Sequence, residues 1–240
     1  MDITKYTRIA RKALKLRYCG AVIVAAGSAS RMGGVDKILA PLKEEPVIVR
    51  TVRAFQECDA IREIVVVTSP DRIVPIGDLC RGFDKLTAVV AGGDTRQASV
   101  EQGLNALSKK TQLAAIQDGA RPLVTWQLID RVVRAANSYG AAAPAVPVKD
   151  TVKVAQGGVV ASTPDRKTLR AVQTPQVFDF DLLRGALKKA REDGVEVTDD
   201  CAAVERLGMS VKLVEGDERN LKLTTPLDWK IAELLLEEKP

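Results

Sequence analysis

Histidine is absent from this 240-residue chain, which removes both the commonest metal ligand and the side chain that most often serves as a general base near neutral pH. Any chemistry must therefore run on Lys, Arg, Asp, Ser, Thr and backbone groups. Aromatic residues are scarce as well, 4% of the chain, too few to build the stacking platforms on which single-stranded nucleic acids lie. Long apolar runs are missing: none approaches the roughly 18 to 20 residues that cross a bilayer, so no membrane span is expected. The four cysteines, Cys19, Cys58, Cys80 and Cys201, lie far apart and form no Cys-x-x-Cys pair. Neither a zinc site nor a disulfide framework is suggested, and reduced thiols in a cytoplasmic protein are expected.

What the chain does contain is enough apolar material, 46% of its residues, to bury one substantial core. Its formal net charge is +5, which favours an anionic partner. Beyond the N-terminus, basic residues are interspersed with acidic ones and form no dense stripe. A small phosphorylated ligand is therefore expected rather than DNA or RNA. Residues 1–18 form a basic lead segment, with Lys5, Arg8, Arg11, Lys12, Lys15 and Arg17 against Asp2. Without an apolar h-region it does not read as a secretory signal. Ile9, Ala13 and Leu16 recur at helical spacing, which allows either a basic amphipathic helix on an anionic surface or a solvated, locally docked extension.

From residue 20 the pattern becomes regular. AVIVAAG, EIVVVTS, TAVVAGG, LAAIQDG and AAAPAVPV are short runs of β-branched and small apolar residues, the mark of buried parallel strands. PVIVRTVRAFQEC, DTRQASVEQGLNALS and TWQLIDRVVRAANSYG between them carry apolar residues three or four apart and read as crossover helices. This alternation predicts an α/β fold, a three-layer α/β/α sandwich around a mostly parallel, Rossmann-like sheet. One domain is expected over 19–240. At about 148–172 the period-2 stretches VKVA and GVVA flank Gly157-Gly158, a hairpin signature that predicts a projecting β-arm. Beyond it, helices are expected at DLLRGALKKARED, TDDCAAVERLG and PLDWKIAELLLEE, and strands at VKLVEG and NLKLT.

In open parallel sheets ligands bind beyond the carboxyl ends of the strands. AAGSASRMGGVDK, residues 25–37, stands at that end of the first strand. Gly27, Gly33 and Gly34 permit close backbone approach, and Ser28 and Ser30 are small donors, so exposed N–H groups can wrap a polyanion. The segment matches neither G-x-x-x-x-G-K-[ST] nor G-x-G-x-x-G. Arg31 and Lys37 in one glycine loop repel each other unless an anion neutralises them, which points to phosphate.

Those residues resemble the G-x-(G/S)-x-R-M-x(n)-K signature of the nucleotidyltransferases that join a nucleoside triphosphate to a phosphorylated sugar or polyol. AGGDTRQASV (91–100), QDGARP (117–122), KDT (149–151), DRKTLRAVQTPQVF (165–178) and VEGDERNLKLTTPLD (214–228) are similar, in order, to the remaining blocks of the 2-C-methyl-D-erythritol 4-phosphate cytidylyltransferase family. The resemblance implies that Ala25, Ala26 and Gly27 line the base and ribose of CTP. Arg31 and Lys37 would hold its phosphates and stabilise the transition state. Gly93, Asp94 and Ser99 would read the cytosine edge, although Asp94 could equally be a helix N-cap. Asp118, with Gly119 and Arg121, would approach the ribose; Asp118 could also help hold Mg²⁺ with the triphosphate, or simply pair with Arg121. Thr151, Arg166 and Lys222 would grip methylerythritol phosphate, Arg166 and Lys222 aiming it for attack. The arm would cross to a second subunit, giving a homodimer in which Thr151 and Arg166 complete the partner's site. Two positions depart from the family pattern: Gln117 stands for the usual histidine of its block, and Asp36 for the usual proline before Lys37, in a loop one residue shorter. Two other readings stay open, a ribitol 5-phosphate cytidylyltransferase and a non-catalytic nucleotide-binding module of the same fold.

Overall fold

A computed structural model of the chain describes residues 15–27 and 36–238. Arg31, Gly33, Gly34, Ser28 and Ser30 of the glycine loop, and most of the basic lead segment, lie outside the described residues.

Four parallel strands form one half of the central sheet. They are β1 (Cys19–Val24), β4 (Ile61–Thr68), β5 (Leu86–Ala91) and β6 (Leu113–Asp118), arranged in the order β6-β1-β4-β5. Alternate residues of each strand face opposite sides, and both sides are covered. Cys19, Ala21 and Ile23 of β1 pack with Ile64 and Val66 of β4 beneath α1 (Val47–Glu57), α2 (Ile73–Leu79) and α4 (Trp126–Tyr139). Val22, Val65 and Val67 point the other way, against α3 (Arg96–Ala106), α5 (Phe180–Glu192) and α6 (Asp200–Glu205). Burial on both faces is why these strands read as continuous apolar runs. A short hairpin, β2 (Pro41–Leu42) and β3 (Glu45–Pro46), precedes α1.

The second half of the sheet is mixed. β7 (Ala141–Pro147) runs parallel to β12 (Lys212–Glu215) on one side. On its other side lie β10 (Arg170–Val172) and β11 (Gln176–Asp179), both antiparallel to it. β11 also pairs with β6, again antiparallel, and so joins the two halves. A cis peptide at Thr174-Pro175 separates β10 from β11. Between β7 and β10 the chain leaves the sheet as β8 (Val154–Gln156) and β9 (Val159–Ser162), a hairpin turned by Gly157 and Gly158 at φ +56° and +82°. Every residue of its strands is exposed. Of the span expected for the arm, Arg170–Val172 pairs with β7 and belongs to the main sheet.

NLKLT is not a strand. Its groups are engaged singly and not in a ladder: the Leu223 N–H donates to the distant Ala120 carbonyl at 2.8 Å, and the Asn220 and Leu223 carbonyls accept from the side chains of Arg121 and Lys37. The closing helix α7 (Pro226–Glu237) starts from a capping box between Thr225 and Asp228. Arg17, counted with the lead segment, is tied to the domain by Asp179 at 2.7 Å and by Asn137. No helix among the described residues is long and apolar enough to cross a membrane.

Candidate active site

The chain runs from β1 outward through β4 to β5, then returns to β6 on the other side of β1. Such a reversal opens a crevice at the carboxyl ends of the strands. In the register Val24 of β1 faces Asp118 of β6, and here lies a cavity of about 390 Å³. Ala25, Ala26 and Gly27 form its wall after β1, Gly93, Asp94 and Ser99 its wall after β5, and Lys37, Asp118 and Lys222 its charged lining. These come from four separate stretches of chain that the sheet brings together.

The turn after β5 is shaped by two hydroxyls. Thr95 caps α3, its side chain accepting from the Ala98 N–H, so Asp94 is not spent as a cap and lines the cavity instead. Ser99 is buried; its hydroxyl accepts from the Gly93 N–H at 3.2 Å and donates to the Thr95 carbonyl at 2.9 Å. Ser99 therefore holds the turn while presenting one edge to the cavity.

Charge concentrates at the end of β6. The Asp118 carboxylate lies 2.9 Å from Lys222 Nζ, 3.5 Å from Arg121 Nε and 3.7 Å from Arg96 Nε. Burial alone would raise its pKa, but the summed pull of Lys222, Arg96 and Arg121 outweighs burial and holds it below the ordinary value. Asp118 is thus ionised at neutral pH, and it pairs with Arg121 as the turn reading allowed while also meeting Lys222. Arg121 is anchored in turn by the Asn220 carbonyl at 2.6 Å. Gly119 lies behind the cavity, its N–H donating to the Val24 carbonyl at 2.8 Å. Lys37 Nζ donates at 3.0 Å to the carbonyl of Leu223, the residue after Lys222.

Neither residue that departs from the family pattern lines the cavity. Asp36 is turned to Arg72, 2.7 Å from its Nε, and accepts from the Ile38 N–H at 3.1 Å. Arg72 also donates to the Ala25 and Gly27 carbonyls, at 3.4 Å each. Gln117 shares the face of Leu113 and Ala115, opposite Asp118, and is fully buried; it does not line the cavity. Thr151 and Arg166 are on the arm, outside the cavity of their own chain. The Arg166 guanidinium donates to the Lys149 carbonyl at 2.5 Å.

A family model for 2-C-methyl-D-erythritol 4-phosphate cytidylyltransferase matches residues 19–238. The chain belongs to this family. To the cytidylyltransferase of that name from Caldanaerobacter subterraneus subsp. tengcongensis it is 45% identical over 225 residues, covering 90% of this chain and 97% of the relative. To the one from Desulforamulus reducens it is 47% identical over 227 residues, covering 91% and 96%. Among solved structures, the 4-diphosphocytidyl-2C-methyl-D-erythritol synthase from Anaerococcus prevotii superposes with a TM-score of 0.84 at 30% identity, covering 92% of this chain and 97% of that one. The Thermus thermophilus cytidylyltransferase gives a TM-score of 0.77 at 35% identity, covering 92% and 100%.

The structure adds residues to this cytidylyltransferase site that sequence reasoning did not single out. Arg96 lines the cavity; its place directly after the Thr95 cap, at the mouth of a helix that opens on the crevice, was the available signal. The QTPQ stretch is a bracket. Thr174 accepts the Asp118 N–H at 3.1 Å on its hydroxyl and the Asn220 side-chain amide at 2.9 Å on its carbonyl. Gln173 holds the Asp217 backbone, donating to its carbonyl at 2.8 Å and accepting from its N–H at 3.2 Å. The connection between β10 and β11 thereby sets the relative positions of Asp118 and the loop that carries Lys222.

Proposed function

We propose that this chain transfers the cytidylyl group of CTP to 2-C-methyl-D-erythritol 4-phosphate, forming 4-diphosphocytidyl-2-C-methyl-D-erythritol and releasing pyrophosphate. The observation that carries this reading is the convergence of Lys37, Asp118 and Lys222 in one cavity at the carboxyl ends of β1 and β6, in a chain of that family.

A phosphomonoester has its second pKa near 6, so the acceptor arrives as a dianion and needs no general base. This suits a chain with no histidine. A phosphate oxygen attacks the α-phosphorus of CTP in line; the bond to the bridging oxygen breaks and its electron pair leaves with pyrophosphate. Lys37, and Arg31 on the glycine loop, offset the charge that builds on the α-phosphate and leaving group, while Lys222 and Arg166 orient the acceptor. Asp94 and Gly93 read the cytosine edge. Lys222 is shared: it must exchange Asp118 for the acceptor phosphate, and Arg121 and Arg96 keep Asp118 compensated when it does.

Mg²⁺ fits as a companion of the triphosphate. The described residues hold no group of three His, Cys, Asp or Glu able to cage a metal, and Mg²⁺ commonly takes one or two carboxylates and draws its other ligands from phosphate and water. Ionised Asp118 would be the protein's carboxylate, and the ion, when bound, offsets charge on the phosphates.

We read the arm as the contact to a second copy, which places Thr151 and Arg166 in the partner's site. What supports this is the valine surface that the hairpin exposes, Val159 at 71% and Val160 at 56%. Four free, buried thiols suit a reducing compartment such as the cytoplasm.

The deciding experiment measures pyrophosphate release with CTP and Mg²⁺, with methylerythritol phosphate and ribitol 5-phosphate in parallel. Turnover with the first supports the proposal. Turnover with ribitol phosphate alone, or CTP binding with no product from either, overturns it. Within that assay Lys37→Ala and Arg31→Ala should each lower kcat by at least about 10²-fold, the scale of losing one oxyanion donor; near-normal turnover in both would remove them from the mechanism.

A further inference from the structure

Arg96 opens α3 and sends its side chain into the cavity wall. Behind the guanidinium stands Asp200, the first residue of α6, with its side chain 1% exposed and Oδ2 2.7 Å from Arg96 Nη2. In front stands Asp118, 3.7 Å from Arg96 Nε. The guanidinium is held between a sealed carboxylate and the carboxylate of the cavity floor.

A link needed merely to fasten α3 to α6 has no use for this arrangement. A buried ion pair recovers its desolvation cost when every lone pair is met, and here Asp200 Oδ1 has no hydrogen-bond partner. Apolar side chains would join the two helices without that cost. What the carboxylate provides is direction: it takes one edge of the planar guanidinium and leaves the rest facing Asp118 and the cavity. Asp200 is itself fixed from the sheet. The buried Gln176 of β11 accepts the Asp200 and Cys201 N–H groups, each at 3.1 Å, and donates to Asp199 at 2.8 Å. Position is thus passed from β11 to α6, to Arg96, to the cavity.

We propose that Arg96 is a nucleotide-positioning residue and that buried Asp200 acts through it, aiming the guanidinium at the place where the sugar of a bound nucleoside triphosphate meets Asp118. The inference rests on the reading of the cavity as a CTP site. It adds to that reading a cation whose orientation is set from beneath the surface.

The test is calorimetric titration of CTP with Mg²⁺ into the full chain and into Arg96→Gln, Arg96→Lys, Asp200→Asn and the Arg96→Gln/Asp200→Asn double variant, each checked for folding by thermal melting. Arg96→Gln should weaken CTP about tenfold, the scale of one charge-assisted contact. Arg96→Lys should fall between the two. Asp200→Asn should weaken CTP about fivefold, and the double variant should bind no worse than Arg96→Gln, because residues acting through one another are not additive. CTP affinity unchanged in Arg96→Gln overturns the proposal; so do losses that multiply in the double variant, or an Asp200→Asn protein that melts lower yet binds CTP normally. If Asp200→Asn does not fold, the two Arg96 variants still decide. A wild-type chain that does not bind CTP overturns the parent reading, an outcome visible before any variant is made.

Discussion

Asp118→Asn keeps the shape of the side chain and removes its charge, leaving Lys222, Arg121 and Arg96 around a neutral amide at 2.9, 3.5 and 3.7 Å from the former oxygens. Removing one partner of a fully buried pair costs about 3–5 kcal/mol. The Lys222 side chain is 43% exposed, so water screens its share, and about 2–3 kcal/mol is the expected loss. For a chain of this length each kcal/mol moves the melting midpoint by about 2–4 °C, so the variant should melt about 5–10 °C lower at neutral pH. The deficit also has a sign in pH. Although burial raises the Asp118 pKa, the three cations lower it further, so the folded value lies below the unfolded one. Such a carboxylate stabilises the fold above its unfolded pKa of about 3.9, and that stability is lost as pH falls through the folded value. Melting curves of wild type and variant across a pH series should therefore diverge fully near neutrality and converge in acid. A gap that stays constant into acid, or no gap near neutrality, would refute the assignment of Asp118 as an ionised hub.

Gly103 lets α3 lie directly on the sheet: a Cβ there would sit 2.2 Å from Val22 Cγ1 and 2.8 Å from Val67 Cγ2. Gly103→Ala should lose about 1–3 kcal/mol in urea unfolding, and an unchanged midpoint would contradict the packing described. Asp228 accepts the Thr224 and Thr225 N–H groups at 2.9 and 2.7 Å; burial raises its pKa, but these and the threonine hydroxyls lower it more. Asp228→Ala should cost about 1 kcal/mol above the unfolded pKa and nothing once the wild-type carboxyl is protonated, which a pH series of melts checks. Burial pushes the Cys80 thiol up to about 11 and raises Cys19, Cys58 and Cys201 as well. A thiol reagent should label the native protein slowly and the unfolded chain fast; rapid native labelling of any of the four would show that site to be open.

The strands between residues 19 and 118 were legible because they are buried on both faces and so appear as unbroken apolar runs, and α1 and α3 because one stripe of each meets the core; the short α2, with Ile76 as its one buried residue, gave no such stripe. β11 was hidden. Val177 and Phe178 make too short a run beside Pro175 to signal a strand, and its antiparallel place between β6 and β7 rests on pairing partners distant in the chain. NLKLT alternates like a strand, yet its carbonyls are claimed by Arg121 and Lys37. The same division holds at the cavity. Lys37 stood out as a cation in a glycine-rich loop, and Asp94 and Asp118 through the resemblance of their blocks to the family, whereas Arg96 depends on a counter-ion, Asp200, that folding brings from 104 positions away.

The hairpin of β8 and β9 leaves the sheet at Pro147 and rejoins it at Arg170, and these two residues face each other in the β7–β10 register. Each doubling of the length of such an excursion adds only about 0.6 kcal/mol of closure entropy. It also makes no demand on the strands that carry it. The arm can therefore change in length while the register that holds Asp118 beside Val24 in the same chain stays as it is.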